Sequence, residues 1–545
     1  MSSVGRPRSP SGPSLAVLAA QALSSRSGGM VAINHDPLFL AVTECSRGRR
    51  VAIVSGGGSG HEPMHAGFLG AGGLDAVAPG EVFASPHNRQ IYAAAKSVPR
   101  PEGVLFIVKN YTGDRINFSI AAERLRSEGL DVAMVVVDED LASQSSGAGG
   151  RGTAGTVLVE RVVGAAADAG ASLAELVALG AAVVAGTRSL GAARKALTLP
   201  ATGRPAFELP DGVFEYGVGI HGERGVRQQE VDAIAELVRQ MVHELLEAVP
   251  ADGELLLLVN DLGGFPAIEL AGVERTACEA LVALDAAPDY LMTGAFCTAL
   301  DMQGFSLTLL RVSAAIRPFL LSSSSSSVLP SPITLDAPVV LDEASVRVAD
   351  ASPPGATLVR LESAVRRHHE LLTELDRIAG DGDFGDNLLG GVIAAQRRSG
   401  SDLERLAAAF LDDVGGSSGP LLGLLFQEIA VRGPDDWTAA LAPAAAAIMR
   451  VGGAAAGDRT LLDALIPASA EAERGGAAAA IVAAAMAGAA ETAALEGRRG
   501  RSAYLADRVL GTPDPGALGV AIILQALAET DLPLPSEVEH PRLDR

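Results

Sequence analysis

Two short segments of this chain hold residue types dense enough to do chemistry. The first, read as the loop Ser55-Gly56-Gly57-Gly58-Ser59-Gly60-His61-Glu62-Pro63, combines side-chain-free backbone with hydroxyls and an imidazole. Such a stretch lets a small polar molecule approach the main chain closely, and a histidine at its mouth can hydrogen-bond a hydroxyl or move a proton near neutral pH. The second is Gly380-Asp381-Gly382-Asp383-Phe384-Gly385-Asp386, preceded by Asp376, so that Asp376, Asp381 and Asp383 form the pattern D-x4-D-G-D. Hard carboxylate oxygens at that density suit Mg²⁺, which keeps several waters and bridges phosphates. An EF-hand needs D-x-D-x-D-G and a glutamate at its twelfth position, whereas this tract runs into Phe384 and Leu388–Leu389. A chain with both segments reads most simply as an enzyme that brings a phosphate donor to a small acceptor.

Further polar clusters lie between and beyond them. Lys109-Asn110-Tyr111-Thr112-Gly113-Asp114 follows an apolar run; Asp114 could take a proton from a hydroxyl and Lys109 could hold an oxygen. Asp114 is equally suited to cap a helix. Gly217-Val218-Gly219-Ile220-His221-Gly222-Glu223 sets a histidine between glycines, where a neutral imidazole could add to a carbonyl carbon or simply hydrogen-bond a turn. His65 reads as a structural neighbour of His61. Near the end of the chain, Gly415 to Pro420 and Gly457 to Thr460 each open a helical pattern, and free backbone N–H groups there suit phosphate. Asp514-Pro515-Gly516-Ala517 is a tight turn before the last helix. Taken singly, each of these is ordinary, and a solvated turn explains it as well.

Composition narrows the classes. A net charge of -22 argues against nucleic acid or an anionic membrane as main partner. The basic residues include only three lysines, Lys96, Lys109 and Lys195, and none follows a glycine, so a Walker A loop is excluded. Cys45, Cys278 and Cys297 are scattered and not in metal-ligand spacing, which fits reduced thiols and a cytoplasmic setting. Met1 to Pro13 lacks an apolar h-region, and the Ala-rich Gly475 to Ala490 reads as a packed helix rather than a membrane span.

The elements that must position these groups divide at Leu321 to Pro332, a serine run closed by prolines and too polar to pack. Before it, Arg50–Val54, Val104–Val108, Asp131–Val137 and Leu255–Val259 read as buried strands, while Ser119–Glu128 and Ser172–Val184 read as helices. That alternation predicts α/β structure with largely parallel sheets and a ligand site at the carboxyl ends of the strands. After it, strand signals nearly vanish and seven to nine helices of an all-α domain are expected. The expected domains are an α/β region over 14–320, in two subdomains, a linker over 321–339 and a helical domain over 340–545.

In order and spacing, SGGGSGHEP, the run Phe83–Pro86, IVKNYTGDRINF and GIHGE resemble the dihydroxyacetone-binding (DhaK-type) domain of the dihydroxyacetone kinase family. LDRIAGDGDFG, with the three later helix openings, resembles its nucleotide-binding (DhaL-type) domain, an α-helical barrel. The resemblance runs from about Gly29 to Gln525. It implies that His221 binds a ketone as a hemiaminal, and that Gly58, Ser59, Gly60, His61, Lys109 and Asp114 line the pocket, with Asp114 and His61 in acid–base roles. It implies that Asp376, Asp381 and Asp383 hold two Mg²⁺ ions. Asp383, Phe384, Gly385, Asp386, Ser417, Ser418, Arg459, Thr460, Arg501, Asp514, Pro515 and Gly516 would surround the nucleotide. The fused arrangement goes with ATP as donor. A homodimer is implied, with the helical domain of one chain serving the ketone site of the other. The family usually has Cys or His, and then Thr, where this chain has Phe384 and Asp386. The expected reaction is ATP-dependent phosphorylation of dihydroxyacetone. Its alternatives are a kinase for erythrulose or glyceraldehyde, an FAD-AMP lyase activity, or a non-catalytic ketone sensor.

Overall fold

A computed structural model of the chain describes residues 13–535, with 45, 145–146, 148, 327, 330 and 336–352 excepted; the side chains of Arg501, Tyr504, Ala506 and Arg508 also lie outside it. Cys45 therefore falls outside the described residues. Contacts divide the chain into two units, Met1–Pro338 and Val339–Arg545.

In the first unit, β1 (Val31–His35), β2 (Leu38–Val42), β3 (Ala52–Ser59), β4 (Ala76–Val82), β5 (Val104–Lys109) and β6 (Val132–Val137) build a six-stranded sheet in the order β1-β2-β4-β3-β5-β6. β3 runs parallel to β4 and β5, and β5 to β6, so their carboxyl ends share one edge. Helices Asn88–Ser97 and Thr112–Ser127 supply the crossovers that parallel pairing requires. The second sheet holds β7 (Thr187–Lys195), β8 (Val213–Tyr216), β9 (Arg227–Glu230), β10 (Glu254–Asp261), β11 (Tyr290–Gly294), β12 (Gln303–Val312) and β13 (Ile333–Thr334). Its order is β13-β11-β10-β12-β7-β8-β9.

Here the expectation of largely parallel sheets is corrected. β10 and β11, joined through the helix Ala267–Ala283, are parallel, but the other pairings are antiparallel. No helix separates β7, β8 and β9, so these strands fold back on one another.

The glycine-rich segment is also corrected. It is not a loop until Gly60: all eight residues of β3 are buried, Ser55 to Ser59 among them. A Cβ at Gly56 would lie 2.4 Å from the Ala78 carbonyl oxygen, one at Gly57 2.5 Å from Lys109 Nζ, and one at Gly58 2.9 Å from the Ala84 nitrogen. The glycines are there because neighbouring backbone and a lysine occupy the space a side chain would need.

The serine run is not free chain either. Ser325 N donates to Ala71 O (2.9 Å), Ser326 Oγ to Gly67 O (2.6 Å) and Arg161 Nε to Leu320 O (2.7 Å). Leu329 is buried and β13 adds to the edge of β11. Hydroxyls bonding to backbone, together with one apolar anchor, replace the hydrophobic burial that serines cannot give. The described residues between Leu321 and Thr334, expected as linker, thus dock on the α/β unit.

The second unit contains eight α-helices among the described residues: Ala356–Ala379, Phe384–Gln396, Asp402–Asp412, Ser418–Arg432, Leu441–Gly452, Leu462–Glu473, Ala478–Glu491 and Pro515–Leu527. Their apolar faces meet in one core that includes Leu372, Phe410, Phe426 and Ile522. Small residues let the helices approach, as at Gly391, where a Cβ would lie 2.5 Å from the Phe410 ring. No helix among the described residues is long and apolar enough to cross a membrane.

Candidate functional site

Each unit carries a polar centre. In the α/β unit the carboxyl ends of β3 and β5 deliver His61 and Lys109 to one edge, and the first turn of the helix Thr112–Ser127 adds Asp114. The segment after β8 brings His221 from the second sheet. His61 is fully buried; its Nδ1 lies 2.8 Å from the Thr298 carbonyl oxygen, and its Nε2 lies 3.0 Å from His221 Nε2. His221 keeps 18% of its side chain exposed, and its Nδ1 is 3.3 Å from Glu223 Oε1. Glu223 also accepts from the His221 backbone N–H at 2.9 Å. The Tyr111 and Phe83 rings stand edge-on to the His221 ring, with centroids 4.4 and 5.5 Å away.

The electrostatics separate the two imidazoles. Burial, with the charges of His221 and Lys109, pushes His61 well below the usual histidine range, so it is neutral. Burial works to raise the Glu223 carboxyl, but the hydrogen bond and charge of His221 hold it down at about 2. A carbonyl only accepts, so His61 Nδ1 carries its proton and Nε2 keeps a lone pair. Asp114 is 2% exposed, and its Oδ1 has no hydrogen-bond partner among the described residues. It does not cap its helix, whose N-cap position is Tyr111.

The other residues expected in this pocket make the following contacts. Ser59 Oγ donates to Gly80 O at 2.7 Å, and Gly60 N donates to Glu62 Oε2 at 2.9 Å. Gly58 lies against the backbone of Phe83 and Ala84. Lys109 is buried and donates to His65 Nε2 at 2.6 Å. His65, read from sequence as a bystander, is therefore in direct contact with a site residue. Glu223, Tyr111 and Thr298 were not singled out at all. Glu223 stands two residues from His221 and was within reach of the motif; Thr298 acts by its carbonyl, which leaves no mark in a sequence.

In the helical unit a cavity of about 420 Å³ is lined by Asp376, Asp381, Asp383, Phe384, Ser417, Ser418, Arg459, Thr460, Asp514, Pro515 and Gly516 among others. One carboxylate oxygen from each of Asp376, Asp381 and Asp383 lies within 4.8 Å of the others. The backbone turn between two helices makes this possible: Asp376 Oδ2 accepts from Asp383 N (2.9 Å) and Phe384 N (3.1 Å), which folds the turn back on the first helix. An all-oxygen acidic set of this kind fits Mg²⁺. The helix Ser418–Arg432 starts at the cavity wall, and Asp514 caps the helix Pro515–Leu527 by accepting from Ala517 N at 2.8 Å.

Arg459 is buried; its Nη2 donates to Thr512 O at 3.0 Å, while Nε and Nη1 have no hydrogen-bond partner among the described residues and Nη1 lies 3.8 Å from Asp514 Oδ2. Burial weakens its hold on its proton, against the pull of Asp514. Burial likewise pushes the Asp514 carboxyl up to about 6, against Arg459 and the Ala517 N–H, with Asp463 and Asp376 adding to the rise. A buried cation with unbonded donors, lining the same cavity as an acidic cluster able to hold a metal, suits a phosphate.

Asp514 also makes a stability prediction. The folded chain holds this proton more tightly than the unfolded chain, so its ionisation costs stability as pH rises from about 4 to about 6, and the cost is constant above. Asp514→Asn keeps the cap and is expected to stabilise the chain above about pH 7 by up to about 3 kcal/mol, less what Arg459 loses. Urea unfolding compared near pH 4 and above about pH 7 should show the gain only at the higher value.

Two expected nucleotide contacts, Gly385 and Asp386, do not line the cavity. Gly385 faces the helix Ala356–Ala379, where a Cβ would lie 2.2 Å from Thr373 Oγ1. Asp386 does not line the cavity; its carboxylate turns to His369 Nε2 at 2.8 Å. Phe384 borders the cavity, yet its ring packs into the helix core beside Gly519. The Arg501 side chain lies outside the described residues; Arg499, Gly500 and Ser502 from the same segment line the cavity.

Residues 22–327 match the family model described as the Dak1 domain, and residues 378–529 match that described as the DAK2 domain. A dihydroxyacetone kinase of Citrobacter freundii is 36% identical over 94% of this chain and 96% of its own length. The human triokinase/FMN cyclase is 35% identical over 88% of this chain and 91% of its own. The crystal structure of the C. freundii dihydroxyacetone kinase in complex with AMP-PNP and Mg²⁺ superposes with a TM-score of 0.61 at 31% identity, covering 94% of this chain and 97% of that one.

Proposed function

Because this chain belongs to the dihydroxyacetone kinase family, with a Dak1 and a DAK2 domain in one polypeptide, we propose that it phosphorylates dihydroxyacetone with ATP and holds the ketone as a hemiaminal on His221. It is an ATP-dependent kinase of the triose-phosphorylating type. The observation that carries the finer reading is the facing pair His61 Nε2 and His221 Nε2, 3.0 Å apart, in the unit that also holds the unpartnered buried Oδ1 of Asp114.

The proton route follows from the tautomers. His61 Nε2 receives the proton that His221 Nε2 must lose before attacking the carbonyl carbon. The new N–C bond pushes the carbonyl π pair onto oxygen, which takes that proton back from His61. Glu223 faces the positive charge left on the alkylated imidazole ring. Asp114 Oδ1 takes the proton of the terminal hydroxyl, and the alkoxide attacks the γ-phosphorus of ATP, releasing ADP. Asp376, Asp381 and Asp383 would hold magnesium, which neutralises charge developing on the phosphates. Arg459 Nε and Nη1, with the N-terminus of the helix Ser418–Arg432, would bind phosphate oxygens. The proposed setting is the cytoplasm and the proposed assembly a homodimer.

ATP consumption across a panel of dihydroxyacetone, glyceraldehyde, erythrulose and glycerol tests the substrate. Dihydroxyacetone is expected to give the highest kcat/KM, with glycerol, which has no carbonyl to capture, at least about 100-fold lower. A glycerol rate equal to the ketone rate would remove the role given to His221. The mammalian relatives carry the name triokinase/FMN cyclase, which favours a second activity on a flavin nucleotide; FAD, the substrate of the lyase alternative, incubated with enzyme and metal belongs in the same panel.

A further inference from the structure

We propose that His65 and Glu160 are positioning residues of the ketone site, holding the Lys109 ammonium in place for an oxygen of a short hydroxyketone. The inference rests on the reading of Lys109 as a substrate-binding cation.

Lys109 ends β5 with no exposure to solvent. A buried ammonium is costly unless bonded and charge-compensated. Its Nζ donates to His65 Nε2 at 2.6 Å, and His65 Nδ1 donates to Glu160 Oε1 at 2.5 Å. Ser55 Oγ sends its own proton to Ile107 O at 2.9 Å and lies 3.1 Å from the same Nδ1. Both neighbours of Nδ1 are therefore acceptors, which fixes the proton on Nδ1 and leaves the Nε2 lone pair for lysine. Burial, with the charge of Lys109, outweighs Glu160 and keeps this imidazole below the ordinary histidine range.

The order of the groups matters. A carboxylate bonded directly to Nζ would quench its charge at the point of use. An interposed neutral ring compensates the charge from a distance and takes one proton of three. Among the described residues Nζ makes no second hydrogen bond, so two protons remain for a ligand. Nζ is near enough to His61 for its charge to press that ring toward neutrality. Glu160 is fully buried on the helix Gly155–Asp168, so the anchor reaches Lys109 from a separate element. Gly57 completes the arrangement: the Nζ position is the space a Cβ there would fill.

The test uses His65→Leu, His65→Gln, Glu160→Gln and Lys109→Met in the full chain, with KM for dihydroxyacetone and for ATP, kcat, and unfolding midpoints. His65→Leu is expected to raise the ketone KM about tenfold or more, with kcat less affected and the ATP KM unchanged. His65→Gln is expected to recover most of that loss, because its amide oxygen accepts from Lys109 while its NH₂ donates to Glu160. Glu160→Gln should raise the ketone KM in the same direction. Should His65→Leu fail to fold, the Gln and Glu160 variants carry the comparison. The proposal is overturned if folded His65 and Glu160 variants keep the ketone KM within about twofold while Lys109→Met loses it. It is equally overturned if His65→Gln performs no better than His65→Leu, the mark of a packing role alone. If Lys109→Met itself binds ketone normally, the underlying reading of Lys109 falls first.

Discussion

Asp381→Ala should abolish ATP turnover with dihydroxyacetone, lowering kcat by about 1,000-fold or more, while ketone binding persists. Asp381 is the suitable member of the acidic triad. Asp376 accepts two backbone N–H groups and shapes the turn, so its loss would blur folding with chemistry. Asp383 occupies the N-cap position of the helix Phe384–Gln396. Asp381 is exposed, lies beyond the end of the first helix and holds neither the two backbone N–H groups of the turn nor the N-cap position, so its variant bears on the proposed metal, with the unfolding midpoint measured beside it. A coupled ADP assay, with calorimetric titration of the ketone, separates the two effects. A variant retaining kcat within about tenfold would leave phosphoryl transfer without the metal proposed for it.

His221→Ala is expected to strike the opposite half. Affinity for dihydroxyacetone should fall by about 100-fold or more, while nucleotide affinity stays at its parent value. A three-carbon ketone has too little surface for tight non-covalent binding, so the proposed reversible bond to Nε2 would supply most of the affinity. The ring is set up for it: Glu223 fixes Nδ1, Tyr111 and Phe83 fix the plane, and His61 stands ready for the proton. Titration of ketone into the variant, and of a non-hydrolysable ATP analogue in parallel, measures both. Ketone affinity within about threefold of the parent would dismiss covalent capture.

What the sequence disclosed differs between the halves. The acidic tract was legible because its chemistry sits in consecutive residues, and the turn that gathers three carboxylates is only eight residues long. The pairing of His61 with His221 was legible only by resemblance, since 160 residues separate them and nothing local in either predicts the other. Asp386 was expected at the nucleotide because a motif gives spacing but not helical phase: its neighbour Asn387 lines the cavity, while Asp386, about 100° away around the helix, bonds His369 instead. The glycines were read as a loop because their usual meaning is freedom, and here they mean crowding. Antiparallel pairing in the second sheet escaped notice since β8 and β9 are four residues each, too short to show a period.

The crowding at Gly56 and Gly57 bears on how this gene can change. Every missense mutation of a glycine codon adds at least a methyl group, and at these positions the methyl would land on a carbonyl oxygen or on the amine of Lys109. Laboratory selection for altered sugar preference should therefore find its gains in rings such as Phe83 and Tyr111, and almost none along β3.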